Sequence, residues 1–139
     1  YCIKDKIQIA QPQKNSRENI MSNINLENLK KIVGYIASAL VDLESGMLMA
    51  GDGDGSIDLD LAAAGNCEVL KSKIRVAENL KLNDSVEDIL ITLTKQYHLI
   101  RPLATNNNIF LYLVLSKDKS NLAMARHSLR SFEQDLNFS

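Results

Sequence analysis

The chain has 139 residues, one domain by length and large enough to bury a real hydrophobic core. Hydrophobic residues make up 45% and charged residues 24%, ordinary proportions for a soluble globular protein. The 16 basic and 17 acidic side chains leave a net charge of −1, with no tryptophan, four tyrosines and three phenylalanines, which argues against a nucleic-acid surface, an anionic-membrane surface and a base-stacking platform.

Residues 1–22 are rich in Gln, Asn, Lys and Ser and are read as a leader or arm, ahead of a folded domain over 23–139. Ile3, Ile7 and Ile9 would let the arm pair as a short strand or dock on a neighbour. Lys4, Asp5 and Lys6 have no apolar segment behind them, so no signal peptide is read. The longest apolar run, 32–41, is ten residues and contains Gly34 and Ser38, against about 20 for a bilayer-spanning helix. Cys2 and Cys67 make no disulfide framework and read as unpaired thiols in a reducing cytoplasm.

Asn25 caps the first helix, with Ile24 and Leu29 spaced as a hydrophobic staple across the cap. Leu26, Leu29, Ile32 and Val33 form its core-facing stripe and Gly34 ends it. Residues 35–42 are apolar on both alternating faces, Leu43-Glu44-Ser45-Gly46 is a turn, and 47–50 is the returning strand of a hairpin whose sheet is covered on both sides. Residues 51–56 read as a flexible loop, after which Asp58 and Asp60 place negative charge at a helix N-terminus.

That next helix, near 58–80, carries two apolar stripes. Leu59, Ala63, Cys67, Leu70, Ile74 and Ala77 follow one another at spacings of three and four. A second stripe runs Ala62, Asn66, Val69, Val76 and Leu80, interrupted by Lys73, and only the face of Ala64, Gly65, Glu68, Ser72, Arg75 and Asn79 reads as solvated. A surface helix needs one apolar face, so a helix with two is expected to be covered from two sides, the second cover being another copy of the protein.

Residues 81–85 connect to a strand at 86–94, also apolar on both faces and without proline, an aggregation hazard if left unpaired. Lys95-Gln96 turns into a strand at 97–103, residues 105–108 turn again, and 109–115 is a strongly apolar strand. After a loop at 116–120, Asn121 caps a last helix bearing Leu122, Ala125, Leu129, Phe132 and Leu136 on one side. The order α-β-β-α-β-β-β-α with hairpin connections predicts a mixed α/β fold, an α+β sandwich. Its five-stranded antiparallel sheet would carry the middle helix on one face and the terminal helices on the other.

Catalytic and metal chemistry finds little support. With Asp52 as first ligand of an EF-hand loop, Ile57 fills the glycine slot and Ala63 the closing glutamate slot, so the acidic loop reads as turn and helix-start residues. The glycines Gly51, Gly53 and Gly55 lack the Gly-Lys-Ser/Thr ending of a phosphate loop. His98 and His127 have no partner at ligand or triad spacing. No catalytic residue, cofactor or metal ligand is expected. Arg126 and Arg130, four apart on the last helix, are candidate partner contacts, and solubility explains them equally well.

The order of elements and their residues resemble the roadblock family of dynein light chains and its bacterial relatives over about residues 24–137. The carriers are Leu29-Lys30-Lys31-Ile32-Val33-Gly34, the run from Ala39-Leu40-Val41-Asp42 through Gly46-Met47-Leu48-Met49-Ala50, and Leu61-Ala62-Ala63-Ala64. Ile89-Leu90-Ile91-Thr92, Leu99-Ile100-Arg101-Pro102-Leu103 and Asn121-Leu122-Ala123-Met124-Ala125-Arg126 complete them. The resemblance implies a homodimer or heterodimer in which middle helices pack together and third strands pair edge to edge. The implied interface comprises Ala62, Asn66, Val69, Lys73, Val76 and Leu80 on the helix, with Val86, Asp88, Leu90 and Thr92 on the strand. It further implies a non-enzymatic, cytoplasmic platform that binds or regulates a small Ras-like GTPase. Two alternatives stay open: a small-molecule sensor of the profilin or PAS-like sandwich type, marked by a monomeric state and a cavity under the middle helix, and a purely structural scaffold subunit.

Overall fold

The computed structural model describes residues 25–136; the arm expected at 1–22, Cys2, and Ile24 of the staple lie outside them. Leu26–Lys31 forms a 3-10 helix whose cap, Asn25, accepts a hydrogen bond from the Glu27 amide at 2.8 Å. Three residues per turn align Leu26, Leu29 and Ile32, which are buried, and swing Val33 off the line into solvent, against the stripe read from sequence. The helix ends at Lys31, and Gly34 supplies the turn into the sheet with φ of 86°. A Cβ there would meet the Ser120 side chain at 2.9 Å, so glycine is required twice over.

The strands are β1 (Tyr35–Asp42), β2 (Leu48–Gly53), β3 (Ile89–Thr92), β4 (Gln96–Pro102) and β5 (Ile109–Ser116). They form one antiparallel sheet in the order β2-β1-β5-β4-β3. The helices are α1 (Leu59–Asn79) and α2 (Leu122–Asp135), capped by Asp58 and Asn121, whose carboxylate and amide oxygens accept from Leu61 and Met124 amides at 3.1 Å each.

Alternation in the central strands splits the core into two layers, as the apolar pattern on both faces of β1 and β5 demands. Leu40, Leu99, Leu111, Leu113 and Leu115 pack with the 3-10 helix and with Ala125, Leu129 and Phe132 of α2. Ala39, Val41, Ile100, Phe110, Tyr112 and Val114 pack against Ala63, Cys67 and Leu70 of α1. The middle helix therefore covers one face and the two terminal helices the other.

Two boundaries differ from the sequence reading. β2 continues through Gly51, Asp52 and Gly53, which read as loop, because they stay in register with Ala39, Ser38 and Ala37 of β1. The glycines permit this: a Cβ on Gly51 would press on Leu59 at 3.0 Å and one on Gly53 on Ala37 at 3.1 Å. The third strand is shorter than 86–94. Its ladder with β4 begins at Ile89, and extension towards residue 87 would face Pro102, which has no N–H to donate. At its other end the Leu93 amide donates to the Gln96 carbonyl at 2.8 Å, so residues 93 and 94 belong to the turn.

Candidate assembly and partner surface

The inner stripe of α1 seals the core, with Ala63, Cys67 and Leu70 buried. Burial raises the pKa of the Cys67 thiol, which donates to the Asp42 carbonyl at 3.6 Å and behaves as a small hydrophobe. The outer stripe is uncovered. Val69, Val76 and Leu80 are 39%, 42% and 60% exposed, Ala62 and Asn66 are half-buried, and Lys73 is exposed between them.

Beside this stripe the sheet continues past the helix. Ile89 and Ile91 of β3 pack only partly on the α1-side core, and among the described residues β3 pairs with β4 alone, so the N–H and C=O groups of its outer edge have no strand partner there. A groove of about 450 Å³ separates helix and strand, lined by Val69, Lys73, Ala77, Leu82, Val86 and Ile89. Leu82 and Leu93 extend the apolar rim and are exposed. Stripe, groove and edge are thus continuous.

The predicted interface residues do not all share one aspect. Ala62, Asn66, Val69, Lys73, Val76 and Leu80 stand on the helix side, and Val86 packs on the same side. Leu90 packs on the opposite core. Asp88 turns to α2, where its carboxylate takes Arg126 Nε at 3.1 Å and Nη2 at 3.2 Å. Thr92 is exposed. Arg126 is therefore committed to this fork-like pair, whereas Arg130 is exposed. The pair, with Arg101 3.9 Å from Glu87, fixes the irregular segment that delivers β3 to the sheet edge.

Sequence reasoning missed Ile89, Ile91, Gln96, His98 and Tyr112 on the helix side of the sheet. His98 Nδ1 lies 2.9 Å from the Tyr112 hydroxyl and its Nε2 lies 2.9 Å from Gln96 Oε1. The available signal was the period of two: Ile89, Ile91 and His98 share a face with Ile100 once the ladder register is known.

The acidic loop divides its work locally. Asp52 accepts from Lys30 at 3.2 Å and from the Tyr35 hydroxyl at 2.6 Å, Asp54 accepts from the Ser56 amide, and Asp58 caps α1. Among the described residues no group of three His, Cys, Asp or Glu side chains could hold a metal ion, and no helix is long and apolar enough to cross a membrane. A second cavity, of about 400 Å³, lies at the C-terminal end of α1 between Ile74, Ala77, Leu43, Val86 and Pro102.

No family model and no curated protein matches the sequence. Solved structures do resemble it. The Roadblock/LC7 domain of Streptomyces avermitilis superposes with a TM-score of 0.68 at 9% identity, over 78% of this chain and 87% of that one. Myxococcus xanthus MglB gives 0.68 at 13% identity, over 85% of this chain and 84% of that one. A structure of MglB with a tetrameric arrangement gives 0.67 at 14% identity, over 84% of each. At these identities the likeness lies in the path of the backbone: the chain has the roadblock fold.

Proposed function

We propose that this chain is a non-enzymatic dimeric adaptor that binds and regulates a small Ras-like GTPase. The observation that carries the reading is the largely apolar outer stripe of α1, interrupted by Lys73, lying beside the β3 edge that is unpaired among the described residues, on a roadblock fold. Two copies related by a two-fold axis would cover each other's stripe and join two five-stranded sheets at β3. The opposite edge suits this role poorly. β2 is bulged against β1 at Leu40/Val41 and carries Gly51 and Gly53, features that blunt an edge. Assembly in an MglB structure described as tetrameric supports association between copies.

The mechanism is positional. A two-fold platform engages the switch regions of the GTPase and favours one of their conformations, while catalytic groups stay with the GTPase. Such a platform regulates only if its affinity differs between nucleotide states. Calorimetric titration of a purified Ras-like GTPase from the same organism, loaded with GDP or with a non-hydrolysable GTP analogue, tests this. Unequal affinities are expected; equal affinities reduce the chain to a scaffold, and no binding removes the proposal. The cavity below the end of α1 favours a small-molecule sensor as the second reading. A monomer that binds a metabolite there would replace the adaptor.

A further inference from the structure

The sheet has a second open edge. Among the described residues β2 pairs with β1 alone, and it lies beside the point where residues 1–24 join the fold. Lys30 Nζ is 3.2 Å from Asp52 Oδ1, which seats the 3-10 helix, and the Asn25 that caps it, next to the end of β2. Residues 10–24 reach about 50 Å when extended, so a segment ahead of residue 10 can lie along β2 with chain to spare. Reach alone would also admit the β3 edge, about 19 Å across the sheet. Side chains and charge decide between the two.

The faces of β2 differ. Gly51 and Gly53 are exposed and look to the α1 side, where a Cβ on them would meet Leu59 and Ala37. A hollow of about 300 Å³ opens beside these glycines, lined by Ala37, Ile57 and Leu59. Asp52 faces the other side, where Lys30 bridges it to Glu27. Asp54, Asp58 and Asp60, all exposed, ring the end of the strand with negative charge.

Residues 3–9 suit both faces. In an extended strand Ile3, Ile7 and Ile9 share one side with Asp5, Lys4 and Lys6 take the other, and Pro12 bars continuation of the ladder. Isoleucines over the hollow would cover edge glycines that have no side chain of their own, and the lysines would then stand on the side of Asp52 and Glu27. Across residues 1–24 the cations Lys4, Lys6, Lys14 and Arg17 outnumber the acids Asp5 and Glu18, complementary to the aspartates at β2. The β3 edge offers less. No glycine bares it, Lys73 stands in its groove, and Glu87 and Asp88 already face Arg101 and Arg126.

We propose that residues 3–9 add to the open edge of β2 as a sixth strand of their own chain, isoleucines towards α1. Tethering gives the segment an effective concentration on the order of millimolar, so an edge too bulged to join two copies still takes a strand of its own chain. With β2 covered, β3 is the edge left for a second copy, and association stops at pairs instead of running on from β2 to β3. The added strand itself does not need the pair.

A nitroxide on Cys2 of the isotope-labelled full chain reads the docking by NMR, Cys67 being buried away from the label. Amide signals of Leu48–Gly53 should broaden more than those of Ile89–Thr92. Stronger broadening at Ile89–Thr92, or no preference between the edges, overturns the proposal. Nitroxide-labelled chains mixed with isotope-labelled ones separate the copies: broadening of β2 at full strength in that mixture assigns the segment to a neighbour and overturns it too. Ile7→Asp should abolish the preference for β2, and a preference that survives the substitution contradicts the seating of the isoleucines.

Discussion

Glu133 is a buried carboxylate that holds two donors from distant parts of the chain: Arg101 Nε at 2.9 Å and the Ala104 amide at 2.6 Å. It ties α2 to the exit of β4, and α2 in turn holds Asp88 through Arg126. Glu133→Ala would strand a buried guanidinium and a backbone N–H, so we expect a loss of about 3–5 kcal/mol in urea unfolding. The pair separates residues 32 apart, and Arg101 beside Pro102 read only as a strand-end residue; no local pattern could disclose a partner on another element. Tyr35 is a parallel case. Burial, then its bond to Asp52, raises its pKa above the ordinary 10. A raised folded pKa gives stability that is complete below 10 and lost as pH climbs beyond it. Wild type should therefore lose stability in alkali more steeply than Tyr35→Phe, by thermal unfolding across pH.

At the scale of elements, legibility followed sequence distance. The caps Asn25, Asp58 and Asn121, the extent of α1 and the apolar faces of β1 and β5 rest on contacts within one or two turns, and each was readable. Asn121→Ala should cost about 1 kcal/mol of unfolding free energy, since the Met124 amide loses its acceptor. The extension of β2 over Gly51–Asp52–Gly53 and the short β3 were not readable, because register with a neighbouring strand decided both. In the candidate surface, the helix half was visible as a second stripe, whereas the sheet half needed the register that turns Ile89 and Ile91 to α1 and Asp88 to α2. A charge on the stripe separates fold from assembly. Val76→Asp stands on an exposed face, so it should change the unfolding free energy of the single chain by no more than about 0.5 kcal/mol while weakening self-association.

At the scale of the whole molecule, the described residues bury two core layers but leave the α1–β3 side partly open. The 3-10 helix and α2 cover the first face, while on the second α1 buries Ile100 of β4 and leaves Ile89 and Ile91 of β3 only partly buried beside a groove. That asymmetry makes self-association the central claim, on which the proposed two-fold platform rests. Sedimentation velocity on the wild-type chain and on Val76→Asp at neutral pH tests it most directly. The account predicts a concentration-dependent species of about twice the 15.5 kDa chain mass that Val76→Asp shifts to single chains of unchanged helicity. A wild-type protein that sediments at single-chain mass at every concentration, or a dimer indifferent to the substitution, would contradict it.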